Sequence, residues 1–286
     1  MEERFFTQDR PLHPFLFMGC WNRAGHRARD AVAAAIQARP ESLLVIGGDN
    51  IYPEKDAAGK KRYNLAVLHE GFELYKSKAV IAALGNHNVS NNAIRDSEIA
   101  GPWFLPTNYY AVKFTDAALI VLDTNIVTIK DKFEEMKAWL TAIVAKLDVP
   151  YYIVQHEPYA SYKKEKGQAL VGGPELFRCF AANPPLAILC ADTHNFQKGI
   201  LKLEDTPAVT QYVVGTGGAS PDEIGDHKHT SEFMYELQDS REKYGFAVIA
   251  SPGVLEFQEV ASWNGGHRRT RRRRGRARSR KYKRSA

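Results

Sequence analysis

Side chains that can bind metal ions follow five short apolar runs of the sequence. They offer thiolate, carboxylate, phenolate, amide and imidazole ligands: Cys20, Asp49, Tyr52, Asn86, His156, Asp192 and His194. Two metal ions a few ångströms apart need about seven protein ligands, one of them a carboxylate that bridges, and such a pair activates water for attack on phosphorus. Asp49 lies in a tight corner between a glycine and an asparagine and is the natural bridge. The set predicts a binuclear metal site.

The elements that must position these residues are short buried strands that alternate with helices. Apolar runs that are bounded by Gly, Asp or Asn predict strands at residues 15–18, 43–46, 80–84, 119–122, 151–154, 186–189, 212–214, 246–249 and 254–260. Two spacers have helical period, with apolar stripes at Leu65, Leu68, Phe72 and Tyr75 and at Met136, Leu140, Ile143 and Leu147. Helices dominate between the early strands and strands dominate late, which favours a layered α/β sandwich over a barrel.

The same corners resemble the sequence blocks of the calcineurin-like metallophosphoesterases. The blocks occur in the family's order: Gly48-Asp49-Asn50-x-Tyr52, Gly85-Asn86-His87, His156-x-Pro158 and Asp192-x-His194-Asn195-x-Gln197. A tyrosine three residues after the bridging aspartate is typical of purple acid phosphatases, particularly the small, tartrate-resistant type. The similarity covers residues 12 to 260.

This resemblance implies a four-layer α/β/β/α sandwich with two metal ions at the strand ends, iron paired with zinc, manganese or iron. It places Tyr52, His194 and the Cys20 position on the first metal. It places Asn86, His156 and the Asp192 position on the second, with Asp49 between the two. A hydroxide held between the metals near Asp49 would attack phosphorus, while His87 stabilises the transition state or protonates the leaving group. We expect His87, Asn22 and Asn88 to contact substrate.

Two positions depart from the family pattern, because Cys20 stands where the family has aspartate and Asp192 where it has histidine. A thiolate keeps the charge of the lost carboxylate, and its softness favours zinc or ferrous iron over ferric iron. Buried cysteines also commonly serve as packing residues, so the sequence leaves both roles open for Cys20. Asp192 adds a negative charge, which weakens Lewis acidity and disfavours an anionic substrate.

Charge divides the chain into an acidic body and a basic tail. Twelve of the 39 basic residues lie in residues 267–286, which hold no acid, and the other 27 face 33 acidic residues. We therefore predict a metallophosphoesterase domain at 1–264 and a disordered Arg-rich tail at 265–286. Such a tail favours nucleic-acid binding or nuclear import over a tail that serves only solubility. The residues that would bind nucleic acid are Arg268, Arg269, Arg271, Arg272, Arg273, Arg274, Arg276, Arg278 and Arg280.

Three function hypotheses follow. The first is a phosphatase that hydrolyses phosphomonoesters of small molecules or phosphoproteins. The second is a phosphatase-like scaffold, impaired by Cys20 and Asp192, that acts as a nucleic-acid-associated binding protein. The third directs catalysis, through the tail, to a phosphodiester or nucleotide. Three cysteines and the lack of a long apolar run predict an intracellular protein, nuclear or virion-associated, that is neither secreted nor membrane-bound.

Overall fold

The computed structural model describes residues 2–164, 168–225 and 232–261. The predicted tail and its boundary at residue 264 lie outside these ranges. Six α-helices are present in the described residues: α1 (Arg27–Gln37), α2 (Leu65–Leu74), α3 (Asn86–Val89), α4 (Asn92–Ile99), α5 (Lys130–Val144) and α6 (Gly173–Arg178). Short 3-10 helices occupy Glu2–Arg4 and Thr124–Ile126. In the part of the chain that the structure describes, no helix combines the length and apolar character needed to span a bilayer.

The strands account for most of the remaining regular structure. In chain order they are β1 (Phe5–Thr7), β2 (Phe15–Met18), β3 (Leu43–Ile46), β4 (Glu54–Lys55), β5 (Lys61–Arg62), β6 (Ala79–Ala82), β7 (Tyr110–Lys113), β8 (Ala118–Val121), β9 (Tyr151–Val154), β10 (Ala160–Ser161), β11 (Gln168–Ala169), β12 (Ala187–Cys190), β13 (Phe196–Lys202), β14 (Val209–Val214), β15 (Met234–Arg241), β16 (Gly245–Ser251) and β17 (Val254–Glu259).

Two mixed sheets hold most of these strands. The larger has the order β1-β7-β8-β9-β12-β14-β13-β15, and the smaller has the order β17-β16-β2-β3-β6. Parallel pairing joins β8, β9, β12 and β14 in the larger sheet and β2, β3 and β6 in the smaller one. Loops that leave the carboxyl ends of parallel strands emerge at one edge of a sheet, so these two sets each gather their following residues at one edge.

The core explains why the short apolar runs form strands. All four residues of β2, β3, β8, β9 and β12 are buried, as expected for strands that are covered on both faces. One hydrophobic cluster joins the two sheets with residues of α1 and α2, such as Val32 and Leu68. A second cluster packs α5 and α6 against the opposite face of the larger sheet, through residues such as Met136 and Phe177.

The predicted α/β class is confirmed by this arrangement, and the four-layer order stays a prediction. The predicted strands all appear: three have the predicted bounds, and the others differ by one to three residues at an end. The sequence prediction missed β1, β7, β13 and β15, and also the two-residue strands β4, β5, β10 and β11. Leu65, which we placed on an apolar helical stripe, is 39% exposed, because it is the first residue of α2, where the helix leaves the core.

Candidate metal centre

Five parallel strands, three from the smaller sheet and two from the larger, end at the candidate centre. Backbone hydrogen bonds hold the corners together. The Cys20 amide donates to the Gly48 carbonyl at 3.0 Å within the smaller sheet, and the Gly19 amide donates to the Val214 carbonyl at 2.9 Å, across the two sheets. The corners that carry Cys20, Asp49, Asn86, His156 and Asp192 are therefore neighbours in space.

His156 follows β9, is fully buried, and has a fixed ring orientation. Its Nδ1 atom lies 2.8 Å from the Gly47 carbonyl oxygen. Since that oxygen only accepts, Nδ1 carries the hydrogen and Nε2 presents a lone pair in the neutral ring. Nε2 lies 3.4 Å from Asp49 Oδ1 and 3.5 Å from Asp192 Oδ1. A lone pair that faces two carboxylates requires a cation, either a proton or a metal ion.

When no metal is bound, a proton on His156 Nε2 supplies the positive charge between the two carboxylates. Burial opposes the charged ring, but the carboxylates of Asp49 and Asp192 outweigh it and raise the pKa of His156 to about 10. The same contact lowers the pKa of Asp192, against the effect of its own burial. The side chain of Asp192 is 12% exposed, and its contact with His156 is the one expected of a residue that shares a cation with it.

Tyr52 and His194 meet on the other side of Asp49. The Tyr52 hydroxyl hydrogen-bonds Cys20 and Asp49 and lies 3.2 Å from His194 Nε2. His194 Nδ1 lies 3.2 Å from the Ser220 carbonyl oxygen, so Nδ1 donates and Nε2 again presents its lone pair. Burial lowers the pKa of His194, which keeps the ring neutral. In both histidines, Nδ1 therefore donates to a carbonyl oxygen, the kind of contact that orients a histidine whose other nitrogen binds a metal.

Cys20 is fully buried beside these groups. Burial, followed by the charges of Asp49 and Asp192, raises the pKa of the Cys20 thiol well above its usual value. The thiol is therefore neutral without a cation, whereas a metal ion would deprotonate it outright. The sulfur of Cys20, a carboxylate oxygen of Asp49 and a nitrogen of His156 lie within 4.8 Å of one another, a spacing that one ion contacting all three can close.

Three of these candidate ligands have left-handed backbone. The φ angles are 55° at Cys20, 55° at Asp49 and 53° at Asp192. Non-glycine residues rarely adopt this conformation, which costs about 1 kcal/mol each. Cys20 and Asp49 follow glycines after β2 and β3, and Asp192 follows Ala191 after β12. Gly85 leaves room for the Asp49 side chain, since a Cβ atom at Gly85 would lie 2.3 Å from Asp49 Oδ1.

His87 lies at the edge of this cluster. Its backbone amide donates to Asp49 Oδ1 at 3.0 Å, and its ring packs on Tyr52 with 4.7 Å between the ring centroids. Its Nδ1 atom lies 3.3 Å from the Tyr63 hydroxyl, which also contacts Ser90. The Ser90 hydroxyl donates to the His87 carbonyl oxygen, so Tyr63 donates to Ser90 and accepts from His87 Nδ1. Tyr63, which sequence reasoning missed, therefore fixes the His87 ring. Burial lowers the pKa of His87.

Asn22 and Asn88, which we expected to contact substrate, have different roles. Both side chains are fully buried. The Asn22 amide nitrogen donates to the carbonyl oxygens of Asn50 and Val67, each at 2.9 Å, and its oxygen accepts from Arg29. These bonds use the amide group within the protein, so Asn22 supports the Asn50 corner from behind.

The Asn88 amide holds the corner that carries Asp49. Its oxygen accepts from the backbone amides of Gly85 at 2.9 Å, Asp49 at 3.0 Å and Asn50 at 3.3 Å. Its nitrogen donates to Glu98 Oε2 at 2.6 Å. The other Glu98 oxygen accepts from the Asn50 side chain. Asn88 is therefore a structural residue beneath the centre.

Glu98 is a second residue that sequence reasoning missed. It is fully buried in α4, and burial raises its pKa to about 8. The sequence carries no signal for this position, since an acid in a polar helix ordinarily faces water. Asp222 is a third, because its carboxylate accepts from the His194 backbone amide at 2.9 Å across 28 residues. Asn86 is exposed and begins α3 directly after Gly85, and its role as a metal ligand stays a prediction.

The described residues fit a metal centre because two oriented imidazole nitrogens, two carboxylates, a phenol and a thiol converge at one place. Asp49 contacts Tyr52, which lies beside Cys20 and His194, and it also contacts His156, which lies beside Asp192. Cys20 approaches His156 as well, so the contacts do not separate the ligands of two metal ions. That division, with Asn86 on the second metal, stays a prediction.

Comparison with solved structures shows that this fold occurs in phosphatases. The chain is similar to a purple acid phosphatase, PPD1, from yellow lupin (Lupinus luteus) at 13% identity with a TM-score of 0.64, where 88% of this chain matches 52% of that one. It is also similar to a dimetal phosphatase from Danio rerio at 13% identity and a TM-score of 0.52, with coverage of 88% and 100%. This chain thus spans about half of the lupin enzyme.

A third solved structure of similar fold is described in other terms. GAP50, "the anchor in the inner membrane complex of Plasmodium", matches at 14% identity and a TM-score of 0.62, with 87% of this chain and 89% of that one covered. No protein-family model matches the sequence, and no curated protein matches it. The resemblance predicted from sequence is thus confirmed at the level of the fold, which is that of the metallophosphoesterases.

Proposed function

We propose that the protein is a metal-dependent phosphatase that hydrolyses phosphomonoesters. The observation that carries this proposal is a pair of oriented imidazoles, the buried His156 and the half-buried His194. Their Nδ1 atoms are held by carbonyl oxygens, and their Nε2 atoms approach Asp49 and Tyr52, respectively. Ligands set in this way favour two adjacent metal ions. The fold shared with two solved phosphatases supports the same function.

Different residues of this chain would have different roles in such a reaction. Metal ions at the centre act as Lewis acids on phosphoryl oxygens and supply a water-derived nucleophile at neutral pH. Asp49 contacts both Tyr52 and His156 and would bridge the metal ions. The His87 ring is held by Tyr63 through Nδ1, so its Nε2 atom is left to contact the phosphoryl group or leaving oxygen. The protonated form of His87 is the form that can donate a proton there.

Metal analysis combined with turnover of an aryl phosphate tests this function. We expect about two metal ions per chain and metal-dependent hydrolysis, both of which Asp49→Asn should greatly reduce. Asp116→Asn is the matched control, because Asp116 hydrogen-bonds His13 at the opposite end of the sheets and should leave both properties unchanged. A protein with less than one metal per chain, or with turnover unaffected by Asp49→Asn, would rule out the proposal.

A phosphatase-like scaffold is the second candidate function. Two observations favour it: Cys20 and Asp192 replace the expected ligands, and a protein of similar fold is described as an anchor. Restoring the family residues through Cys20→Asp with Asp192→His separates the two functions. A large gain from an almost inactive parent supports the scaffold, whereas equal or lower activity supports a working site that uses its own ligands.

The basic tail adds a proposal about partners. Nine arginines between Arg268 and Arg280 would bind a polyanion such as nucleic acid, with an affinity that falls steeply with salt. The tail would then direct the protein, or its catalysis, to a nucleotide or nucleic acid. We expect a chain that ends at Asn264 to lose salt-dependent binding to single-stranded DNA. Equal binding and equal rates on mononucleotides and DNA, with and without the tail, would refute this role.

A further inference from the structure

A cleft of about 270 Å³ lies beside the candidate metal centre. One wall includes Val89 of α3, the helix that carries His87. A second wall includes Glu157 and Pro158, which directly follow His156. The third includes Leu170 and Val171, after β11. Two of the three walls therefore continue the segments that carry candidate catalytic and metal-binding residues.

The cleft is close to the centre as well as continuous with it. The carboxyl group of Glu157 is within electrostatic reach of Asp192, His156 and Asp123. Its backbone amide donates to the Thr124 hydroxyl, which ties this wall to the loop after β8. A phosphoryl group at the metal centre would therefore have the cleft as the adjacent space for its organic substituent.

The lining is largely apolar and carries no positive charge among the described residues. Val89, Val127, Pro158, Leu170 and Val171 supply apolar surface, and Glu157 is the one ionisable side chain among the described residues that line it. Val171 is 67% exposed, a large apolar surface at the rim. The described lining offers no lysine or arginine to pair with an anion, so this cleft is unsuited to a second phosphate or a carboxylate.

We propose that this cleft is a subsite for the uncharged, apolar alcohol portion of a phosphomonoester, of the size of a benzene ring. This inference rests on the proposed function and names the substrate class that fits the cleft: aryl or branched-alkyl phosphates rather than polyphosphates. A hydrophobic subsite distinguishes substituents that differ by several carbon atoms by roughly tenfold or more in affinity.

Phosphonates test the subsite without turnover, because their carbon–phosphorus bond is not hydrolysed. Calorimetry would compare phenylphosphonate with methylphosphonate on the metal-loaded full-length protein. We expect phenylphosphonate to bind about tenfold more tightly. Val171→Asp should remove most of this preference and leave methylphosphonate binding largely intact. Val254→Asp is the matched control, since Val254 is also an exposed valine, at 56%, and lies near Tyr152 at the opposite end of β9.

The outcomes separate the subsite from the function on which it rests. If both phosphonates bind with equal affinity, or if Val171→Asp keeps the preference, the subsite is wrong and the phosphate site stands. If Val254→Asp abolishes the preference as fully as Val171→Asp does, the effect is not local and the subsite is also wrong. If neither phosphonate binds, the proposed phosphatase function fails and the subsite fails with it.

Discussion

The double variant Asn88→Asp/Glu98→Gln should be more stable than its two single changes predict, by roughly 3 kcal/mol. The reason is the buried hydrogen-bond network beneath Asp49. The Asn88 oxygen accepts three backbone amides, and its nitrogen donates to Glu98 at 2.6 Å. Glu98 accepts from Asn50 with its other oxygen. The donor and acceptor roles in the hydrogen bonds of Asn88 and Glu98 are therefore defined.

Each single change breaks the pairing in a different way. Asn88→Asp keeps the acceptor for the three backbone amides but brings two carboxyl groups to 2.6 Å. One of them must then stay protonated, and each pKa unit of that shift costs about 1.4 kcal/mol. Glu98→Gln points an amide nitrogen at another amide nitrogen and loses a charge-assisted bond of roughly 1.5–3 kcal/mol. Glu98→Gln also removes a buried charge, so its own net effect combines two opposing terms.

The double change exchanges donor and acceptor and restores every bond. The new carboxylate at position 88 accepts the three backbone amides and the amide nitrogen at position 98, while the amide oxygen at position 98 still accepts from Asn50. The buried charge is present in both the original and the doubly changed protein. The coupling between the positions therefore isolates the pairing itself, whatever the sign of the single effects.

Urea unfolding of the four metal-free proteins at pH 9 measures this coupling, because Glu98, with its pKa of about 8, is ionised there. Asn91→Asp supplies the control cycle, since Asn91 caps α4 through Ala93 and Ile94 and has no described contact with Glu98. Its effect should add to that of Glu98→Gln within about 0.5 kcal/mol. Additive effects of Asn88→Asp and Glu98→Gln would show that the two side chains are not paired as described.

Three further predictions concern the centre itself. Cobalt-loaded protein should show a sulfur-to-metal charge-transfer band that Cys20→Ser abolishes. Cys190→Ser is the control, because Cys190 is an equally buried thiol, and it should preserve the band. A band that survives Cys20→Ser would show that Cys20 is not a ligand. Metal affinity should rise with pH from 6 to 9, by about tenfold per unit for each proton that the ion displaces. The pKa of His156 is about 10 without metal, so its proton competes with the ion, and a bound Cys20 would add a second proton. An affinity independent of pH would contradict this. Gly48→Ala should lower the free energy of unfolding, measured in urea, by more than Gly59→Ala. Both glycines have positive φ, but only at Gly48 would a Cβ atom meet His156 Nδ1, at 2.7 Å. Equal losses of stability would show that this close approach is not limiting.

Sequence reasoning located the strand ends and most of the candidate ligands because buried parallel strands leave a strong signal. A run such as residues 43–46 is apolar on both faces, and the polar corner after it stands out. Strand β15 gave no such signal. Tyr235 is the one buried residue of this strand, and the others are exposed or half-buried, as expected at the edge of a sheet. A search for continuous apolar runs therefore does not find it.

The direction of side chains at the corners could not be predicted in the same way. Asn22, Asn86 and Asn88 all follow strands and have the same chemistry, yet the first and last are buried and Asn86 is exposed. The difference depends on partners that are distant in sequence, such as Arg29 for Asn22 and Glu98 for Asn88. A polar residue at a strand end therefore predicts where a site lies, but it does not predict what that residue does in the site.

The backbone at Cys20 and Asp192 bears on whether the centre is a working site or a remnant. Glycine would adopt their φ angles of 55° and 53° without strain, so each side chain is held at a conformational cost. At Asp192 the cost is offset by the contact with His156. At Cys20 the described partners are the hydroxyl of Tyr52 and the backbone of Asp192, and a neutral thiol gains little from either. A ligand bond to a metal ion would offset this cost at Cys20, and that role stays a prediction, which the cobalt spectrum of Cys20→Ser tests.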